Sequence, residues 1–252
     1  MSYLNGLREL VDVSNHRALL TEAQDYYSET SDVEALPFIA LAFYKLNMKE
    51  DGANIIEKVM SMTNELSFES RLDLASALIE KGDVSSAKSL LFKDSEIQPN
   101  NPGLLSRLAK CHSLEGKQEE AIDTQLKVTV LNPECLFERD VLISALLVTN
   151  KFNQAQKYLT ESLSIYENQL ELISDVAAQQ LVKRLRVQQI KIWIGNEKTG
   201  TVDEWLQDRY DSIDQKEWTD LVILASELIY KKGGYLEAIL ILENALKISP
   251  NN

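Results

Sequence analysis

A 34-residue period is the feature of this sequence that most restricts its fold. At four places a glycine or asparagine precedes an alanine by five residues; these alanines are Ala87, Ala121, Ala155 and Ala238. The first two intervals are 34 residues each, and the third is 83 residues, which is two periods and a surplus of 15. Pro99 and Pro133 keep the same spacing. Such a period is typical of stacked repeat units that bury their apolar faces on their neighbours.

Each copy of the repeat has the pattern of a helical hairpin. Its turn residue follows directly after a stretch of helical periodicity; these residues are Gly82, Gly116, Asn150 and Gly233, with Asn47 in an earlier copy. Glycine and asparagine tolerate the left-handed conformation that ends many helices. A small residue stands seven positions before most of these turns, and the alanine stands five positions after. The pattern therefore predicts paired helices with small side chains at their crossing.

The motif small–x6–Gly–x4–Ala–x11–Pro on this period resembles the tetratricopeptide repeat family. Five copies match, at 33–66, 68–101, 102–135, 136–169 and 219–252. The family's signature tryptophan is absent from all five copies. The resemblance implies an all-α fold, a right-handed α-α superhelix of about six helical hairpins, in which the first helices line a concave groove.

The segments outside the motif are also helical in pattern. Residues 1–32 are predicted to form N-terminal capping helices, and 33–169 to form four repeats. Residues 170–218 are predicted to be a divergent repeat with the insertion of about 15 residues, opening with a long helix over 170–194. All three tryptophans lie in this segment, either as a local core or as a patch facing a partner.

The last repeat, 219–252, ends without a polar capping helix. The end of a stack of repeats exposes an apolar face that normally needs such a cap. We therefore expect the native protein to continue past Asn252 into a further region, or this end to be buried against another chain.

The charge balance excludes several classes of partner. The chain has 26 Lys and Arg against 39 Asp and Glu, a net charge of −13, which disfavours binding to nucleic acid and to anionic membranes. It has neither a signal peptide nor an apolar run of membrane-spanning length, so we expect a cytoplasmic protein. Two cysteines and two histidines do not make a zinc site, and no metal or other cofactor is expected.

No catalytic motif supports an enzymatic activity. GxSxG, HExxH, GxGxxG and GxxxxGK[ST] do not occur. His112 is interpreted as a core histidine with its hydrogen bonds satisfied, rather than a general base, and Cys111 as a small buried residue. The sequence therefore predicts that this chain is not an enzyme.

The resemblance also implies which side chains contact a partner. In the family these lie at places 2, 5, 9, 12 and 13 of each repeat. The candidates at or beside these places are Leu41, Tyr44, Leu72, Ser76, Ile79, Arg107, Lys110, Asp140, Ser144 and Leu147. An alternative is that Leu41, Ile79 and Leu147 are core residues read in a shifted register. Only Arg107 agrees with the clamp for C-terminal carboxylates known in the family, so such a clamp is not expected.

These observations predict a scaffold that binds a peptide or helix of a partner protein in the concave groove. One alternative is a regulatory or substrate-recruiting arm of a larger enzyme, such as a bacterial transferase, which the reading frame beyond Asn252 would reveal. A second alternative is a self-assembly module that forms a homo-oligomer through its C-terminal end. Light scattering at several concentrations would distinguish it.

Overall fold

A computed structural model describes residues 3–12, 14–169 and 176–249 of the chain. These residues form fourteen α-helices and three short 3-10 helices, and none of them is in a strand. The α-helices are α1 (Tyr3–Asp12), α2 (His16–Thr30), α3 (Leu36–Lys45), α4 (Lys49–Met60), α5 (Phe68–Lys81), α6 (Val84–Ser95), α7 (Pro102–Leu114), α8 (Gln118–Leu131), α9 (Leu136–Val148), α10 (Phe152–Gln169), α11 (Val176–Gly195), α12 (Thr199–Arg209), α13 (Gln215–Lys231) and α14 (Tyr235–Ile248). The all-α prediction is confirmed.

The helices are arranged as successive hairpins. Each odd-numbered helix, here called a first helix, packs on the even-numbered second helix that follows it. This pairing gives seven hairpins in the described part of the chain, one more than the sequence predicted. The additional hairpin is α1–α2, in the segment where the motif is absent but capping helices were predicted.

All seven hairpin turns described have the same backbone conformation. The turn residues have φ values from 57° to 89°; they are Ser14, Asn47, Gly82, Gly116, Asn150, Glu197 and Gly233. In each turn the next amide N–H donates to the carbonyl oxygen five residues before it, at 2.8–3.0 Å. Closing these bonds requires the left-handed conformation, which explains the glycines and asparagines at five of the seven turns.

The spacing of the turns locates the surplus residues. Asn150 and Glu197 are 47 residues apart, 13 more than the 34-residue period, whereas Glu197 and Gly233 are 36 apart. The interval between Asn150 and Glu197 contains the two longest α-helices described, α10 with 18 residues and α11 with 20. The predicted helix over 170–194 corresponds to α11 from Val176 onward, and 170–175 lie outside the described residues.

Small side chains lie buried in the hairpins, as the motif predicts. Ala75 in α5 and Ala87 in α6 are both 0% exposed. In the first copy, Gly52 replaces the motif alanine, and a Cβ atom added there would lie 2.7 Å from the Tyr44 ring. The ring of Tyr44 thus occupies the space that an alanine methyl fills in the other copies.

The chain divides into two compact units, residues 1–132 and 133–252. The first unit has a continuous apolar core that includes Phe38, Leu74 and Leu91. The second unit has a core around Trp218 and Ile190. The boundary lies near the end of the third predicted repeat, within the block of four repeats at 33–169.

The three tryptophans belong to the core of the second unit. Trp218 is 2% exposed, and its Nε1–H donates to the Leu206 carbonyl oxygen at 2.7 Å. Trp193 and Trp205 are half-buried against the same cluster, with their rings in an edge-on arrangement 5.8 Å apart. These contacts support the local-core interpretation, because the rings seal α11 and α12 against α13.

Candidate functional site

The apolar candidates of the first unit lie in its core. Leu41, Leu72 and Ile79 are 5%, 7% and 9% exposed. Leu72 also extends towards α7, where its Cδ1 atom lies 3.4 Å from the position of a Cβ added to Gly103. Little of these side chains is accessible to a partner. For Leu41 and Ile79 the burial supports the core interpretation that the sequence left open.

Tyr44 and Ser76 are half-buried and already contact their own chain. The Tyr44 ring packs on Gly52, and its burial raises the pKa of the Tyr44 hydroxyl. Ser76 accepts a hydrogen bond at Oγ from Arg107 Nε at 2.8 Å. Both side chains therefore stabilise neighbouring helices first, and only their outer edges are open to a ligand.

Arg107 is held by contacts within the first unit. Its Nη1 donates to the Gly103 carbonyl oxygen at 2.9 Å, and its Nη2 lies 3.6 Å from Asp73 Oδ1. Asp73 also accepts hydrogen bonds at Oδ2 from Arg8 Nε and Nη2, at 3.2 and 3.0 Å. Burial raises the pKa of Asp73, while Arg107 and Arg8 oppose that shift. This cluster ties α1, α5 and α7 together, so Arg107 acts here as a structural link.

The polar candidates of the second unit hold α11 on α9. Gln188 Nε2 donates to Asp140 Oδ1 at 2.8 Å and to Ser144 Oγ at 2.9 Å. Arg184 Nε lies 3.1 Å from Asp140 Oδ2. Asp140 is 7% exposed, and its burial raises its pKa despite the opposing effects of Arg184 and Gln188. Asp140 is therefore an interhelical anchor, although Ser144 remains accessible at its edge.

The raised pKa of Asp140 predicts a pH dependence of stability. An acid whose pKa is higher in the folded state than in the unfolded chain makes its largest contribution at low pH, and this contribution falls as the pH rises above the ordinary value of 3.8. The free energy of unfolding of the wild type minus that of Asp140→Asn should therefore decrease as the pH rises above 3.8. Urea denaturation of both proteins across this range measures the difference. A difference that grows with pH would mean that the Arg184 ion pair dominates instead.

Two candidates keep accessible surface without a described structural role. Lys110 is exposed on α7 in the first unit. Leu147 is half-buried on α9 in the second unit. Of the ten candidates, these two most resemble side chains available to a partner.

The structure places a different groove on the first helices of the second unit. This groove, of about 610 Å³, lies between α11 and α13. Apolar and charged side chains both line it; they are Lys183, Val187, Asp214, Lys216, Glu217, Asp220, Leu221 and Leu224. It is here called the α11–α13 groove.

The charges of the α11–α13 groove are only partly used within the chain. Glu217 accepts a hydrogen bond from Arg186 Nη1 at 2.7 Å and lies 3.5 Å from Lys183 Nζ. Asp214 caps α13 by accepting the backbone N–H groups of Lys216 and Glu217, both at 3.1 Å. The side chains of Lys216 and Asp220 are exposed and form no ion pair within the described ranges, so the groove combines apolar walls with an available charge of each sign.

Sequence reasoning missed this groove because most of its residues lie where the motif is absent. Only α13 could be placed in register, and there Asp220 stands at place 2 of the copy 219–252. The α11 side comes from the divergent segment, so no repeat register identified Lys183 or Val187. Their position beside α13 depends on packing between hairpins.

Cys111 and His112 are neighbours on α7, and burial shifts the pKa of both side chains. Cys111 is 0% exposed, and burial raises its pKa to about 11, which keeps the thiol protonated. Burial also lowers the pKa of His112, whose buried Nδ1 has no hydrogen-bond partner among the described atoms. The interpretation of His112 as fully satisfied is therefore wrong. No group of three or more His, Cys, Asp or Glu able to hold a metal occurs in the part of the chain described.

None of the described helices, over residues 3–12, 14–169 and 176–249, is both long and apolar enough to cross a bilayer.

Comparison with known proteins gives likenesses in structure alone. No protein-family model matches the chain, and no curated protein matches it in sequence. A chain of the APC/C hetero-tetramer Cut9–Hcn1 is 15% identical with a TM-score of 0.61, over 99% of this chain and 46% of that one. Human IFIT1, in a dimer with PPP-AAAA, is 13% identical with a TM-score of 0.57, over 92% and 58%. TTC0263, a thermophilic TPR protein of Thermus thermophilus, is 20% identical with a TM-score of 0.52, over 73% and 99%.

Proposed function

We propose that this chain, which has the tetratricopeptide repeat fold, is a protein-interaction scaffold that binds an amphipathic helix or peptide of a partner protein in the α11–α13 groove. The observation that carries this proposal is the groove of about 610 Å³ with apolar and charged walls on two first helices. Binding sites of this kind take an apolar stripe of the ligand between their walls and use a few polar groups for orientation.

The side chains that line the groove indicate which kind of ligand would bind there. Val187 and Leu224 are half-buried and match apolar side chains spaced along one face of a helix, whereas Leu221 is 3% exposed and belongs mainly to the core. Lys216 and Asp220 lie four residues apart on α13, where they face the same side of the helix. A ligand with an acidic and a basic residue beside its apolar stripe would pair with both. Charge pairs at an exposed rim contribute orientation more than affinity.

The proposal is tested with peptides selected for binding. A displayed library of amphipathic helical peptides is selected against the whole chain, and the affinity of each selected peptide is measured by fluorescence anisotropy. We expect Leu224→Ala to weaken binding about tenfold, because it removes an apolar anchor from the groove. Reversing the charge at Lys216 should have a smaller effect that decreases with salt.

The matched controls are Leu131→Ala and Lys110→Glu, which change exposed residues outside the groove. Leu131 lies on α8 and Lys110 on α7. Both variants should bind the selected peptides as the wild type does. Loss of binding in Lys110→Glu, together with full binding in Leu224→Ala, would place the site in the first unit and contradict the proposal.

A further inference from the structure

Large apolar side chains are concentrated on one side of α14. Six of them are between 41% and 80% exposed; they are Tyr235, Leu236, Ile239, Leu240, Leu242 and Leu246. They are here called the α14 apolar face. Isolated exposed leucines are common on proteins, but six on one helix of 14 residues form a continuous patch.

In the other repeats of this chain, the residue equivalent to Leu242 is buried. Leu242 stands four residues after the motif alanine of its copy, and it is 41% exposed. The residues in the same place of earlier copies are Ile56, Leu91, Gln125 and Leu159, all between 0% and 2% exposed. In three of these copies the next first helix packs on the second helix, as α5 does on α4, α7 on α6 and α11 on α10. At Leu242, therefore, the α14 apolar face leaves open a position that is buried in the other copies.

The patch is contoured on the side that faces α13. A groove of about 280 Å³ is lined there by Tyr230, Tyr235, Ile239 and Leu242, among others. The rings of Tyr230 and Tyr235 meet edge to face with their centroids 4.9 Å apart. Aromatic side chains beside an apolar groove are typical of the centre of protein interfaces.

The exposed area of the α14 apolar face is close to the area that each partner buries in a stable dimer. Six side chains exposed to this extent present on the order of 600 Å² of largely apolar surface, the upper end of what the largest patch on a monomer shows. A stable interface of standard size buries about 800 Å² on each partner. The α14 apolar face with its immediate neighbours supplies an area of that order.

The low net charge around the patch allows a second copy to pack there. The whole chain has a net charge of −13, so two copies repel each other over most of their surfaces. Residues 215–249 contain four basic and five acidic side chains, a net charge of −1. This hairpin carries little net charge, as several other hairpins of the chain do, so a twofold contact there meets little repulsion and places apolar surface on apolar surface.

We propose that the chain forms a homodimer in which the α14 apolar face of one copy packs on the same face of a second copy. This interface is separate from the α11–α13 groove and does not depend on the function proposed for that groove. The wild-type chain should then have a molar mass of twice 28.5 kDa at high concentration and dissociate on dilution.

The dimer is tested by sedimentation velocity and light scattering over concentrations from about 1 to about 100 µM, the range in which a micromolar Kd is visible. We expect Ile239→Glu to raise the Kd of the dimer at least about 100-fold, because a twofold interface contains the substituted residue twice. Leu246→Lys introduces the opposite charge on the same face and should have a similar effect. The control is Val130→Glu, at a residue 78% exposed on α8.

Far-UV circular dichroism and thermal unfolding of the variants report whether each remains folded. Folded monomers for Ile239→Glu and Leu246→Lys, beside a dimeric Val130→Glu, would support the proposal. A wild type that stays at 28.5 kDa throughout would overturn it and leave the face to a different protein. A dimer that survives both substitutions on α14 would overturn it as well. Peptide binding in the α11–α13 groove, measured on the Ile239→Glu monomer, tests the other proposal separately.

Discussion

Trp218→Ala should lower the free energy of unfolding of the second unit by about 4 kcal/mol, the cost typical of removing a buried tryptophan. Trp218 is 2% exposed, and Tyr210 packs edge-on against its ring with the centroids 5.0 Å apart. The substitution opens a cavity between α12 and α13. It also removes the donor to the Leu206 carbonyl oxygen. This oxygen lies in the last turn of α12, where carbonyl groups lack an N–H donor within the helix. Urea denaturation followed by far-UV circular dichroism measures the loss.

Two further variants separate packing from hydrogen bonding. Trp218→Phe retains an aromatic ring and removes the N–H donor, so we expect a loss of about 1 to 2 kcal/mol. Trp205→Ala removes a ring of the same size from a half-buried position and should cost less than Trp218→Ala. Equal losses for the Trp205 and Trp218 variants would show that burial of Trp218 does not hold α12 on α13.

Ala87→Leu should destabilise the first unit by about 3 kcal/mol, the upper range for adding methylene groups to a packed core. Ala87 is 0% exposed and lies in the α5–α6 hairpin, where the motif requires a small side chain. A leucine there forces α6 away from its neighbours or into strained rotamers. The free energy of unfolding from urea denaturation again gives the magnitude.

Ser89→Leu provides the matched control for this prediction. Ser89 is exposed on the same helix, so the same side chain enters α6 without meeting the core. We expect a change within about 0.5 kcal/mol. If Ala87→Leu were tolerated as well as Ser89→Leu, the hairpins would not depend on small residues at their crossings.

The turns show how much of this fold can be predicted from local sequence. Gly82, Gly116 and Asn150 identify their own turns, because few other residues adopt positive φ without strain. Ser14 and Glu197 adopt the same conformation, at φ values of 57° and 60°, without any such signal. There the close packing of the two helices of the hairpin imposes the conformation on an ordinary residue.

The candidate site shows where prediction from register ends. Register placed Asp140 on the partner-facing side of a first helix, but Gln188, 48 residues away, binds it at 2.8 Å. Register likewise placed Leu72 in the predicted concave groove, but in the structure α7 packs on this side chain. The α11–α13 groove was missed because α11 carries no motif. In each case the outcome depends on a contact between hairpins rather than on a local pattern.

The amino-acid sequence alone determined the helical class, the repeat period, five of the hairpin turns and the small residues at the crossings. These properties follow from preferences that act within a few residues, such as helical periodicity and the tolerance of glycine and asparagine for the left-handed conformation. Only the tertiary structure decided which side chains remain accessible. Exposure depends on which helix packs on which, and those neighbours come from other repeats distant in the chain.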